Sequence, residues 1–408
     1  MRRFLPVFIL LALVSCGRGE VGGTPSLPAG GAKPPVNVVA TSPQNVLSRG
    51  PVIQRVTEDG VTFMGKPSPR LMHEKISVAV TPEGGATRTA TADFDAVRDT
   101  FLVRIEGLPA NTACRYSVTI GKETTGPFQF ATAPSSADDQ IPLRFVVYGD
   151  SRSNPQTHHE ITEAIRAKQP RFVLHTGDLV GNGLDGPSWD IEFFNPARAL
   201  LASTNILPCY GNHENDTAYL ANLFDLPEGG HYYTFDFGRV RILTLDVYAD
   251  FRSGSEQHTW LEKELSRKWN GWTFVQFHEP PFSVHTYRKG NADVRRELIP
   301  LFSRYTVDAV FSGHDHYYLR TKPIASEKGA RAVVYFTAAG GGAPLHSTQD
   351  RPFAAAVYEG FHFVVLDVTN QKITGWVETP DGKVVDKFVF EKSKPAAESM
   401  SMEEVLQE

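Results

Sequence analysis

Five short apolar runs in this chain each end in side chains that bind hard or borderline cations. "FVVYGD" ends at Asp150, "FVLHTGD" at Asp178, and "ILPCYGNHE" at Asn212 and His213. "TFVQFHEPP" ends at His278, and "AVFSGHDH" at His314 and His316. Taken singly these motifs say little: a Gly-Asp is commonly a turn, and a strand-end histidine is commonly a core residue. Their succession carries the information, because carboxylate, amide and neutral imidazole together suit divalent metals. A carboxylate such as Asp178 can bridge two cations about 3.5–4 Å apart, and such a pair turns a shared water into hydroxide near neutral pH. The pair also clamps the attacking and leaving oxygens of an in-line displacement. Phosphoester hydrolysis most needs that clamp, since its transition state spreads negative charge over the phosphoryl oxygens.

Elements must bring these residues together. From residue 142 to 391 buried strands alternate with amphipathic segments, an α/β pattern. The helices are predicted over "PQTHHEITEAIRAK", capped by Asn154-Pro155, and over "SEQHTWLEKELSRKW" and "DVRRELIPLFSRY". In such folds ligands collect beyond the carboxyl ends of the strands, where loops aim side chains at one point. Residues 46–135 read differently, as short alternating runs broken by turn residues, the pattern of an all-β sandwich of immunoglobulin size. "IEGLPANTACRYSVTI" resembles a fibronectin type III strand pair, with Tyr116 near the sandwich corner. Residues 392–408 are a polar tail whose end has the pattern of a short helix.

Composition bounds the rest. The 408 residues suffice for two cores, and 41% hydrophobic with 21% charged is ordinary for a globular chain. A net charge of −5 offers no basic face, so no nucleic acid partner is expected. Arg2 and Arg3 precede "FLPVFILLALV" and then "LVSC", too short a run to span a bilayer but suited to a secretory signal. Small residues before Cys16 resemble the bacterial lipobox, which implies a signal peptide over 1–16 and lipidation of Cys16. Gly17 at the next position favours the outer membrane by the same resemblance. Residues 17–45, rich in Gly, Pro, Ser and Thr, then form a tether. The expected place is a bacterial cell envelope, with the secreted body lipid-anchored on the periplasmic or surface side. Cys114 and Cys209 fall in the two different patterns, so a disulfide between them is not assumed, and both are expected as small core residues.

The order Gly-Asp, Gly-Asp, Gly-Asn-His-Glu, His, Gly-His-x-His resembles the calcineurin-like metallophosphoesterases. It is most similar to the purple acid phosphatases, which also carry a fibronectin-like N-terminal sandwich. "GHDHYYLRTKPI" and "QHTWLEKEL" add to that likeness. The resemblance implies an α+β two-domain chain, an N-terminal all-β sandwich followed by a four-layer α/β/β/α phosphoesterase domain. It implies a binuclear centre of divalent or mixed-valence ions (Fe, Zn or Mn), whose bridging hydroxide attacks the phosphorus of a small phosphorylated substrate. Asp150, Asp178 and His316 would hold the first ion; Asp178, Asn212, His278 and His314 would hold the second. His213 would serve as general acid or charge stabiliser, and Glu214 would orient its loop. His285 is either a substrate contact or an exposed loop histidine.

The chain departs from the family at two first-ion positions. Where many members have Asp-x-His, it has Asp150-Ser151-Arg152; where purple acid phosphatases place tyrosine, it has Gly181. Without a tyrosinate no charge-transfer colour is expected. Arg152 has three readings: it points to the surface, it replaces the charge of a missing first ion, or it grips substrate phosphate bidentately beside the metals. The last is favoured, because Asp150 and His316 are retained. His158 or His159 is a candidate to close the first shell. The reading from another class is a non-enzymatic surface lipoprotein that binds a partner and keeps a degenerate metal site.

Overall fold

A computed structural model describes residues 46–136, 142–215, 217–227, 230–392 and 399–407. Cys16, the signal segment and the tether lie outside the described residues. No described helix is long and apolar enough to cross a membrane.

Alternation of apolar and polar residues makes the first strands two-faced. "ISVAVTP" (Ile76–Pro82) buries every second side chain, and "FLVRIE" (Phe101–Glu106) does the same. Seven such strands between Leu47 and Ala131 form antiparallel sheets of three and four strands. Tyr116 packs against Phe63 and Phe130 between them. Its hydroxyl leaves the sandwich to donate to the Ala202 carbonyl at 2.7 Å.

Two larger sheets follow. The first runs in the order Asn205–Pro208, Phe172–His175, Leu143–Tyr148, Phe363–Val368, Lys372–Glu378, Val384–Glu391, its first three strands mutually parallel. The second holds parallel neighbours Val240–Thr244, Trp272–Gln276, Ala309–Ser312 and Ala332–Ala338. These strands are buried on both faces, so their apolar runs are continuous. Phe145, Phe172, Phe274, Phe311 and Phe336 share one aromatic core between the sheets. The opposite faces meet helices. Val146 and Tyr148 pack on Ile161 and Ile165 of the helix Pro155–Ala167, and Val275 packs with Leu261 of the helix Glu256–Ser266.

Local chemistry explains the helix ends. Asn154 accepts the Thr157 N–H at 3.2 Å and Pro155 sits in the first turn, an ordinary start. The segment expected as one helix over "DVRRELIPLFSRY" is two short ones, Ala292–Glu297 and Ile299–Arg304. Pro300 has no N–H to donate and its ring crowds the preceding turn, so the helix restarts there. At the C-terminus Ser401 and Glu404 make a reciprocal capping box for Met402–Leu406, which buries Val405. Cys114 and Cys209 are buried and unpaired, as core residues.

Candidate metal centre

The carboxyl ends of five parallel strands open onto one place. Asp150 follows Leu143–Tyr148, Asp178 follows Phe172–His175, and Asn212 with His213 follows Asn205–Pro208. His278 follows Trp272–Gln276, and His314 and His316 follow Ala309–Ser312. Asp150, Asp178 and His314 have φ of 57°, 56° and 67°. Non-glycine residues there cost about 1–3 kcal/mol each and persist where the surroundings over-determine them. Glycine precedes the ligands for a steric reason. A Cβ on Gly211 would collide with Asp178 Oδ1, and one on Gly313 would stand 2.5 Å from Asp150 Oδ2.

Asp178, 1% exposed, is the hub. Its Oδ1 accepts the His213 N–H at 3.0 Å and lies 3.3 Å from His278 Nε2. Its Oδ2 faces Arg152 Nε at 3.2 Å and His213 Nε2 at 3.9 Å. Asn212 Oδ1 lies 3.2 Å from His278 Nε2 and 3.0 Å from His314 Nδ1. Asp150 accepts the His314 N–H at 3.1 Å and stands 3.2 Å from His316 Nε2. Asp150, Asp178 and His316 offer ligand atoms all within 4.8 Å of one another, all buried.

Tautomers give a test of fit for a cation. His278 Nδ1–H donates to the Thr176 carbonyl at 2.7 Å, so the neutral ring turns the lone pair of Nε2 toward Asp178 and Asn212. His316 Nδ1–H likewise donates to the Pro344 carbonyl at 2.5 Å, aiming Nε2 at Asp150. Acceptors thus face acceptors, an arrangement that a metal ion satisfies and that hydrogen bonds between neutral groups do not. Without a cation between them, the carboxylates draw a proton to that place instead. Burial alone would depress His278, but Asp178 and Asp150 outweigh it and lift the imidazole to about 10, and a bound ion would displace that proton. Burial acts against ionisation of Asp178 too, yet His278 and His213 hold it well below the usual carboxylate range. Burial raises Asp150, and burial together with His278 pushes His314 down to about 3.

The supporting groups are ordered. Glu214 accepts the N–H groups of Asp178, Leu179 and Gly211 at 3.0, 2.8 and 2.6 Å, bracing the loop that carries Asp178. His213 Nδ1–H donates to the Gly181 carbonyl at 2.8 Å, which leaves Nε2 free on a side chain 31% exposed. Arg152 points inward, with Nη2 3.5 Å from His316 Nε2 and Nη1 3.3 Å from Ser153 Oγ. The surface reading of Arg152 is therefore excluded.

Other expected residues fall elsewhere. His158 is buried in the core, between the Tyr148 hydroxyl at 3.1 Å and the Glu192 carbonyl at 2.8 Å. His159 is exposed and faces the Pro196 carbonyl. Neither is placed on the cluster: both ring nitrogens of His158 have partners in the core, and His159 turns Nδ1 to Pro196. His285 is separated from the cluster by His346, whose ring stacks on His316 at 4.0 Å and meets His285 edge-on. Gly181 gives its N–H to Glu192 and has no side chain to offer.

Sequence reasoning missed three neighbours. Tyr248 puts its hydroxyl 3.4 Å from Asn212 Oδ1. It lies just past the parallel strand Val240–Thr244, so the strand-end rule applied to "RILTLDVY" would have found it. His346 Nδ1 accepts the His316 N–H at 3.1 Å, and Glu192 accepts the N–H groups of Ser153 and Gly181. His346 arrives from a loop and Glu192 from the π-helical turn Trp189–Phe194, neither with a motif.

Residues 143–318 match the calcineurin-like phosphoesterase family. The chain is similar to probable purple acid phosphatase 20 of Arabidopsis thaliana, 29% identical over 55% of this chain and 56% of that protein. It is also similar to purple acid phosphatase 21 of the same plant, 31% identical over 49% of each chain. The chain thus spans about half the length of these curated relatives. Among solved structures, a purple acid phosphatase from yellow lupin (Lupinus luteus) seeds has the same fold, with TM-score 0.71 at 17% identity over 88% of this chain and 76% of that one. PhoD follows with 0.67 at 13% identity over 88% and 94%.

Proposed function

We propose that this protein is a metal-dependent phosphohydrolase acting on a small phosphorylated substrate at the carboxyl ends of these strands. One observation carries the reading: Asp178 Oδ1, Asn212 Oδ1, His278 Nε2 and His314 Nδ1 converge with adjacent atoms 3.0–3.3 Å apart. Divalent ions bound here would supply Lewis acidity, lowering the pKa of water and offsetting negative charge on a phosphoryl group. A two-ion version of the reading adds Asp150 and His316. His278 and His316 both turn Nε2 toward the carboxylates, but the set around His316 already holds the Arg152 guanidinium.

The chain's own residues do the rest. Among the described residues the Arg152 Nη1 meets the Ser153 hydroxyl at 3.3 Å and no carboxylate, so one edge of the fork can bind a phosphoryl oxygen. His213, anchored through Nδ1, presents Nε2 beside Asp178 and can carry the proton given to the leaving oxygen. A binding module with a degenerate site would need no such exposed imidazole next to its ligands. Lipid anchoring at Cys16 and a place in the bacterial envelope are part of this proposal and rest on the leader sequence alone.

The test is turnover of an aryl phosphate monoester and a diester by chelator-stripped protein, before and after adding Mn²⁺, Zn²⁺ or Fe²⁺. Activity should appear with metal only, and Asp178→Asn should reduce it at least a thousandfold. Turnover that survives stripping or that substitution would sink the proposal.

A further inference from the structure

We propose that the centre takes one metal ion, not two, and that the Arg152 guanidinium stands in the place of the other. The inference rests on the metal-dependent reading above and deepens it. Asp178 divides the site. On its Oδ1 side the side chains of Asn212, His278 and His314 supply converging acceptor atoms. The donors reaching that side are the His213 N–H on Asp178 and a long Tyr248 hydroxyl contact on Asn212. On the Oδ2 side Asp150, Asp178 and His316 could share an ion by distance. There, Arg152 has Nε 3.2 Å from Asp178 and Nη2 3.5 Å from His316, touching two of the three.

A guanidinium keeps its proton and has no lone pair, so it cannot join a coordination shell. The Arg152 side chain is 16% exposed, leaving little water to screen it from a neighbouring ion. Charge counting points the same way. Among the groups that could hold an ion there, Asp150 and Asp178 are the two carboxylates, and the Glu214 carboxylate behind them is spent on three backbone N–H groups. One divalent ion with Arg152 sets three positive charges against two negative; two ions with Arg152 would set five against two. Among the described residues no fourth His, Cys, Asp or Glu joins that group. Gly181 turns only its backbone to the loop, and a Cβ there would meet the Glu192 carboxylate at 3.5 Å, a group already committed to two N–H donors.

The experiment is elemental analysis of the purified full-length chain after stripping, reloading with excess Mn²⁺ and removal of unbound ion. About one Mn per chain is expected, with the electron paramagnetic resonance of isolated ions. Arg152→His removes the cation and adds a neutral ligand, so it should bind about two and show spin coupling between them. Arg152→Ala serves as a second variant if the histidine form does not fold. Two ions in the unsubstituted protein would overturn the inference while leaving the metal-dependent reading intact. No bound metal would overturn both.

Discussion

At the scale of single residues, the centre depends on groups that never meet a substrate. Glu214 is 1% exposed, and its two oxygens take three backbone N–H donors from two strand-end loops. It therefore fixes Asp178 without coordinating anything itself, a positioning role. Glu214→Gln keeps the shape but turns an amide NH₂ toward N–H groups that need an acceptor. A buried donor left unpaired costs about 1–3 kcal/mol, so urea unfolding should show a loss of that size. Metal titration should show weakened affinity as well, because Asp178 loses its brace. A variant that loses stability with unchanged metal affinity would confine Glu214 to the fold.

At the scale of elements, the strand ends were legible because each motif is local: an apolar run sets the strand and the next residues set the ligand. Asp150, Asp178, Asn212, His278, His314 and His316 all stand at such ends. Tyr248 was legible by the same rule and overlooked, whereas His346 and Glu192 were not, since no short-range pattern links them to His316 or Ser153. Helix faces were harder still. His158 and His159 are adjacent in sequence, yet the 3.6-residue turn buries the first against Tyr148 and Phe193 and exposes the second. That burial has a pH consequence. Desolvation holds His158 neutral, down to about 4, against about 6.5 in an unfolded chain. Between those values the unfolded chain binds the proton and the folded one does not. Stability is thus complete above about 6.5 and falls as the pH drops toward 4. His158→Gln does not titrate, so its unfolding free energy should vary less between pH 7 and 5, by about 2 kcal/mol. Equal pH dependence in the two proteins would show that His158 is not held neutral.

At the scale of the whole molecule, the sandwich and the α/β strands read as separate patterns, but the contacts between them are extensive. Leu47, Phe63 and Tyr116 belong to the same apolar core as Phe145 and Phe172, and Val52 and Met64 pack with Trp189 and Phe193. Arg198 donates to the Ser48 and Gly50 carbonyls, and Gln54 pairs with the backbone at Leu223 and Asp225. Sequence could not show these pairings, which join residues more than a hundred positions apart. The most costly of them is electrostatic. Arg49, 1% exposed, is held by Asp190 at 2.6 Å and, more loosely, by Asp99 at 3.5 Å. Asp190 lies in the π-helical turn Trp189–Phe194, the turn that also carries Glu192 to the loops of the centre. Asp190→Ala leaves a buried guanidinium with a distant partner, at a cost of about 3 kcal/mol. Replacing both partners, as Arg49→Met with Asp190→Leu, removes the charge and should recover most of that loss. Because one core runs through both parts, tryptophan fluorescence and circular dichroism should report a single coincident urea transition. The transition should move as a unit in Asp190→Ala. Two separated transitions, with only the earlier one sensitive to Asp190, would instead mean that the sandwich and the strands bearing the metal centre are stable independently.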